Sequence, residues 1–288
     1  RYRSNDHIIW VLGGDVQADF GGDFLGHYRS MAEGIIFGIT GQNIAWNENS
    51  PYWNYALMTY HPDGSPMKNS STWFHDDAWL DFNMIETFVN VNSVYEAVTQ
   101  DYTLSDPIKP TVMGEPAYEN HPGKEGPIAA IQVRRQGWQS FFAGAAGFTY
   151  GAFRDSLGNG PLFSPFNHWE KTLNWEGAKS LAFLKSFCLE NNWPHWKPNQ
   201  KILGEGQKEG EYLKTAVQLS DHYYLIYFPD RSTQMLIFNS GFSEVFGSWY
   251  NPKNGLNQNL DPITLVDGVC KIIPPDAWSD AVAVIHLK

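Results

Sequence analysis

The chain has 288 residues and a formal net charge of −11, from 20 Lys/Arg against 31 Asp/Glu. That length exceeds one small domain and fits a large α/β unit with a smaller companion. The acidity disfavours nucleic acid and anionic membrane surfaces as partners, since both select concentrated basic charge. No apolar run reaches the roughly 18 residues that a spanning helix needs, and no signal peptide is visible. Cys188 and Cys270 make neither a disulfide framework nor a zinc-ligand spacing. Both read as buried thiols, with a single bridge as the alternative.

In chain order, His7–Asp15 (HIIWVLGGD) is an apolar run, two glycines and an acid. Ile8–Leu12 is too short and too rich in β-branched and aromatic residues for a helix, and suits a strand buried on both faces. Asp15–Gly26 is a Gly-rich loop. Phe24–Phe37 has a helical apolar period through Leu25, Tyr28, Met31, Ala32, Ile35 and Ile36. A short strand is expected around Asn43–Trp46 and a longer one at Asn54–Tyr60, ended by His61 and the Pro62-Asp63-Gly64 turn. A polar loop, Ser65–Asp77, precedes the strand exit Trp79–Thr87 (WLDFNMIET) and a helix at Asn92–Leu104. Pro110–Met113 forms the next strand. Gly114 lets the backbone turn, Pro116 stops further pairing, and Glu115 is held at the strand's C-terminal end. A helix over about Pro127–Phe142, the Gly-rich strand Gly144–Gly151 and a helix at Trp175–Leu189 complete the alternation.

Strands alternating with helices imply βα units and a parallel sheet. Five strands are expected, near positions 8, 55, 80, 111 and 147, whereas a closed barrel needs eight. The expectation is the later part of a longer protein, with the earlier strands missing or on another chain. After Pro194 the pattern changes to short β-prone runs at 212–219, 223–228, 235–238, 246–250, 263–266, 269–273 and 281–287. Turn signals, Asn239-Ser240-Gly241 among them, divide these runs, which read as a β-sandwich. The division is thus 1–190 for the α/β part and 195–288 for the β-domain.

Acids at strand C-terminal ends sit where parallel α/β folds do their chemistry. Asp15 and Glu115 there can face each other across a pocket, as glycoside hydrolysis requires: one protonates the leaving oxygen and the other attacks or activates water. The plainer reading makes them a helix cap and a turn residue. Glu119 rivals Glu115, but lies past a proline and reads better as orienting a neighbour. His61 could bind a sugar hydroxyl or support a carboxylate, Asn83 could bind a hydroxyl, and Trp73 and Tyr118 could stack on a sugar ring. Each could equally be a packed structural residue, and Asp81 a buried salt-bridge partner. His75-Asp76-Asp77 reads as turn acids rather than a metal site, and Asn69-Ser70-Ser71 matches a glycosylation sequon.

The motifs HIIWVLGGD, ALMTYHP, WLDFNMIET, GEPAYE and GAAGFTYG, in this order and followed by a small all-β domain, resemble the apiosidase-like glycoside hydrolases. The resemblance covers nearly the whole chain. It implies a TIM (β/α)8 barrel, here strands four to eight, followed by a β-sandwich that carries a collagen-binding label. It also implies a retaining mechanism on plant-polysaccharide side chains, apiose-containing pectin among them, with no cofactor and no metal. Asp15 falls on the acid/base position of the fourth strand and Glu115 on the nucleophile position of the seventh. The implied partners are a carbohydrate substrate and the missing N-terminal half of the barrel, and the implied location is periplasmic or extracellular. The competing class is a non-catalytic carbohydrate- or matrix-binding protein built on a glycosidase scaffold.

Overall fold

A computed structural model describes every residue except Arg1, Arg3, Asp6, Ser65, Pro66 and Ser240. The middle of the expected 239–241 turn and the start of the expected 65–77 loop lie outside the described residues. The elements in order are β1 (Ile9–Gly13), α1 (Leu25–Thr40), β2 (Leu57–His61), α2 (Ser71–Phe74), β3 (Asn83–Glu86), α3 (Val94–Tyr102), β4 (Thr111–Glu115), β5 (Pro122–Gly123), β6 (Gly126–Pro127), α4 (Ala130–Phe142), β7 (Gly147–Phe148) and α5 (Glu176–Glu190). There follow β8 (Lys197–Pro198), β9 (Thr215–Ser220), β10 (Tyr223–Phe228), β11 (Gln234–Ile237), β12 (Glu244–Tyr250), β13 (Asn257–Thr264), β14 (Val269–Ile272) and β15 (Ala281–Leu287). The expected strand at Asn43–Trp46 does not form. Glu33 instead accepts the Trp46 N–H at 2.9 Å, and the segment closes as turns. No described helix is long and apolar enough to cross a membrane.

The chain forms two compact units. The first holds residues 1–88, 96–115 and 145–149. Its strands are all parallel, β1 beside β2, and β3 beside β4 beside β7. The two groups join through the Asp81 N–H to the Met58 carbonyl (2.9 Å), the Met58 N–H to the Asp81 carboxylate (2.6 Å) and the Thr59 hydroxyl to the Phe82 carbonyl (2.7 Å). Asp81 is therefore a strand-to-strand bridge. β1 is not buried on both faces as its apolar run suggested. Leu12, with Trp10 half-buried, packs on a core that includes Ala32 and Ile36 of α1, while Ile9 and Val11 on the alternate positions are 52% and 49% exposed. Asn69 of the sequon is fully buried, its amide bound to the Ala97 carbonyl and the Asp101 carboxylate, so it cannot receive a glycan in the folded state.

The second unit holds residues 89–95, 116–144 and 150–288. Its six-stranded antiparallel sheet has the order β13-β12-β15-β10-β9-β8, with β11 paired to β14 as a separate ribbon. Alternation in β10 explains the continuous run YYLIYF. Tyr224, Ile226 and Phe228 face a core shared with Leu236 and Ile272 of the ribbon, whereas Leu225 and Tyr227 face Trp138 and Phe142 of α4 and Phe187 of α5. β15 divides the same way, with Ala283 and Ile285 on the first side and Val282 on the second. A strand covered on both faces reads as unbroken apolar sequence. Both cysteines are free and buried, and burial pushes their thiols up to about 12 for Cys188 and about 11 for Cys270.

A buried ion pair ties α4 to the start of β15. Arg134 donates to both oxygens of Asp280 at 2.8 and 2.9 Å, and the Tyr227 hydroxyl adds a 3.0 Å bond. Neither Arg134 nor Asp280 reaches solvent. Without Asp280 the buried Arg134 keeps only the longer ion pair, at 3.3 Å, to the partly exposed Glu176, so Asp280→Ala is expected to destabilise this unit by about 3 kcal/mol. Denaturant unfolding followed by far-UV circular dichroism checks this, and a loss under about 1 kcal/mol would contradict it.

Candidate active site

The site is made from the C-terminal ends of parallel strands of the first unit. Gly13 at the end of β1 lies opposite His61 at the end of β2. Glu86 ends β3 and lies opposite Glu115, which ends β4. The register shifts between Ile85 and Glu86, a bulge that brings the two glutamates level. Two acids directly opposite on neighbouring strands repel, so the arrangement needs a compensating cation. His61 supplies it: its Nε2 lies 2.8 Å from Glu115 Oε2 and 3.2 Å from Glu86 Oε2. Burial works against protonating this imidazole, but hydrogen bonds to Glu115 and Glu86 and their charges overcome it and raise its pKa to about 9. His61 is therefore an imidazolium at neutral pH.

Asp15 enters on an unusual backbone. Gly13, Gly14 and Asp15 have φ of 80°, 144° and 55° in succession. The two glycines take these conformations without strain, and aspartate tolerates the left-handed one better than most residues. A Cβ on Gly13 would lie 2.6 Å from the Tyr60 ring and 2.9 Å from the His61 carbonyl, so this turn needs glycine there. The pKa of Asp15 is raised, first by burial and then by the negative charges of Glu115 and Asp63. The His61 charge and a hydrogen bond with Glu86 act in the opposite direction. Glu86, 3% exposed, is itself raised by burial, with the charges of Glu115 and Asp15 adding to that effect. Two carboxyls in hydrogen-bonding reach, both pushed up, share one proton more readily than they ionise together.

The His61 imidazole thus stands among three carboxyls, of which Asp15 and Glu86 are held above the usual carboxylate range by burial and by their acidic neighbours. The ligand atoms of His61, Glu86 and Glu115 lie within 4.8 Å of one another and could in principle hold a cation. The Nε2 contacts are of hydrogen-bond length, but His61 Nε2 and Glu86 Oε2 are both buried without an aligned hydrogen-bond partner. The turn after His61 closes over this group. A Cβ on Gly64 would sit 2.4 Å from the Glu86 carbonyl and 3.1 Å from its Cγ, so glycine lets the turn lie on Glu86 and keep it dry.

Of the expected site residues, Asp15, His61 and Glu115 come together. Asn83 does not join them: it begins β3, is fully buried, and meets His75 side chain to side chain at 3.3 Å. Trp73 is on α2, half-buried, edge-on to Tyr60 with ring centroids 5.9 Å apart. Tyr118 belongs to the second unit, its ring against Gly151, where any Cβ would collide with it. Glu119, also in the second unit, is buried, accepts the Tyr150 hydroxyl at 2.6 Å and receives the Gly177 N–H at 3.3 Å. Asp77 is occupied by a two-point pair with Arg29 at 2.8 and 2.9 Å and by the Trp79 indole at 2.8 Å. Gly114 does not turn the chain: it lies within β4, and its missing side chain makes room for Met84. The residue that sequence reasoning missed is Glu86. It is the penultimate residue of WLDFNMIET, an acid at a strand's end, the same signal that singled out Asp15 and Glu115.

Residues 1–195 match the family described as "Apiosidase-like, catalytic domain". A solved structure described as "Glycoside hydrolase" superposes over 99% of this chain and 66% of its own, with a TM-score of 0.79 and 23% identity. A glycoside hydrolase family 5 structure from Bacteroides vulgatus ATCC 8482 superposes over 99% and 64%, with a TM-score of 0.78 and 22% identity. At such identities the likeness is one of fold. This chain spans just under two thirds of the length of those structures. Comparison with curated proteins gives no match. Because the matched family covers residues 1–195 of the 288, the chain belongs to the apiosidase-like catalytic-domain family.

Proposed function

We propose that this chain carries the two catalytic carboxyls of a retaining glycoside hydrolase, with Glu115 as nucleophile and Asp15 as general acid and base. The observation that carries this reading is the Asp15–Glu86–His61–Glu115 cluster at the strand ends. A nucleophile must be ionised, and the His61 imidazolium favours the carboxylate of Glu115. A general acid must hold a proton near neutrality, and Asp15 has its pKa raised and a second carboxyl to share a proton with. Glu115 attacks the anomeric carbon while Asp15 protonates the departing glycosidic oxygen. Asp15, now ionised, then takes a proton from the water that releases the sugar from Glu115. In this reading the parallel strands are strands four to eight of a TIM barrel over residues 1–190, with residues 195–288 as an appended β-domain. The substrate class is a plant-polysaccharide side chain, apiose-containing pectin among the candidates.

The test is the configuration of the first-formed sugar, followed by NMR on an enzyme carrying this chain. Retention supports the double displacement, and inversion would assign Glu115 to activating water instead.

Glu86 is a positioning residue in this scheme. In Glu86→Gln, His61 loses one of its two neighbouring carboxylates, which lowers the pKa of the imidazole. The His61 imidazolium, stable until pH rises through about 9 in the native protein, is then lost at lower pH. The expected outcome is an alkaline limb of kcat/KM moved to lower pH, with activity reduced about 10–100-fold. A reduced rate with an unmoved pH profile would assign Glu86 a packing role only.

A further inference from the structure

We propose that the β-domain carries a second carbohydrate site, a cleft for a neutral glycan chain built around Trp278. The cleft has a volume of about 600 Å3, within the range of roughly 300–1,000 Å3 of small-ligand pockets. It runs between the edge strand β13 and the 273–278 segment that follows β14, and lies wholly inside the second unit. Trp278 is partly buried, packs on the sheet core and lines the cleft. Its segment is stiff: Pro274 and Pro275 precede it, the Trp278 N–H donates to the Pro275 carbonyl at 3.2 Å, and Asp276 pairs with Arg231. The indole is therefore held in place before any ligand arrives, which limits the ordering cost of binding.

The polar lining selects the ligand class. Gln258, exposed on β13 and paired with Trp249 of the core face, offers a carboxamide that donates and accepts, matching hydroxyls that do the same. Asp261 can accept from two neighbouring hydroxyls. An indole flanked by such groups fits a sugar ring, with its C–H face on the aromatic surface and its edge on the amide and the carboxylate. Lys271 and Arg231 stand against the carboxylates of Asp261 and Asp276, so the cleft carries no net charge with which to select an anionic polymer, and a neutral chain fits it. The site is independent of the Glu115 cluster and would give the protein a hold on its polymer apart from the reacting bond.

Affinity electrophoresis of the whole chain through gels containing xylan, galactan, arabinan or glucomannan tests this, with polygalacturonate and a collagen-like Pro-rich peptide as comparisons. Retardation by at least one neutral glycan is expected, with affinity about tenfold weaker in Trp278→Ala. Because Trp278 also braces the core, Gln258→Ala on the exposed edge is the second variant. It is expected to weaken binding about threefold, with thermal unfolding unchanged. Unaltered affinity in both variants, retardation by no neutral glycan, or binding confined to polygalacturonate or the peptide would overturn the proposal.

Discussion

Glu115→Gln is expected to lower hydrolysis by about 10^4-fold or more, the scale on which removing a covalent nucleophile acts. The substitution keeps the shape of the side chain and its carbonyl oxygen, which can still accept from His61 Nε2, now 2.8 Å from Glu115 Oε2. What disappears is the charge and the attacking lone pair. The fold should tolerate this well. Glu115 lies directly opposite Glu86, so its removal relieves their repulsion but also takes the nearest carboxylate from His61, and the two effects oppose each other. The melting temperature should therefore change little while activity vanishes, a combination that unfolding cannot produce. Substrate binding should persist, because the ring contacts are untouched. The decisive measurement is single-turnover hydrolysis by an enzyme carrying this chain, alongside a thermal melt. Activity above about 1% of the parent would remove Glu115 from the nucleophile role, and intact hydrolysis together with intact glycan binding would leave the cluster without a catalytic purpose.

The parts of the fold that were legible in the sequence are those where one cause dominates. The apolar runs YYLIYF and AVAVIHL are covered on both faces and coincide with β10 and β15. All five parallel strands lie within or beside their expected segments, because a short β-branched run bounded by Gly or Pro has few alternatives. Legibility fails where a tertiary neighbour decides. β13, NQNLDPIT, is polar and contains a proline, and only its position at the sheet edge lets it pair. Ile9 and Val11 carry the composition of a doubly buried strand yet remain half-exposed, on the face of β1 opposite the one that Leu12 and Trp10 turn to the core. The association of α4 and α5 with the β-sheet rests on Arg134–Asp280 and on Trp138 stacking against Tyr227, contacts between residues far apart in sequence. In the site, strand-end position singled out Asp15 and Glu115, but the register shift that levels Glu86 with Glu115 leaves no local trace. Asn83 illustrates the converse: its place on a promising strand says nothing about which end it occupies.

Asp15→Asn separates leaving-group protonation from everything else the cluster does. Asparagine is the informative replacement because the residue sits at φ 55°, where Ala would add backbone strain and confuse the reading. The amide cannot deliver a proton, so substrates with poor leaving groups should lose about 10^2–10^4-fold in kcat/KM. Glycosides of strongly acidic phenols leave without assistance and should form the glycosyl-enzyme on Glu115 at near-parent rates. Its hydrolysis still needs a base, so the intermediate should accumulate and give a burst of phenol. Azide, which needs no base, should then restore turnover and yield a glycosyl azide of retained configuration. The pH profile supplies an independent sign. In the parent, Asp15 must be protonated, and burial with the charges of Glu115 and Asp63 raises its pKa, so activity falls as pH rises through that raised value. In Asp15→Asn the group that titrates is gone, and this alkaline limb should flatten until His61 deprotonates near pH 9. Equal losses on good and poor leaving groups, with no rescue by azide, would show that Asp15 shapes the loop above β1 rather than transferring the proton, and would turn attention to Glu86 as the acid that shares its site.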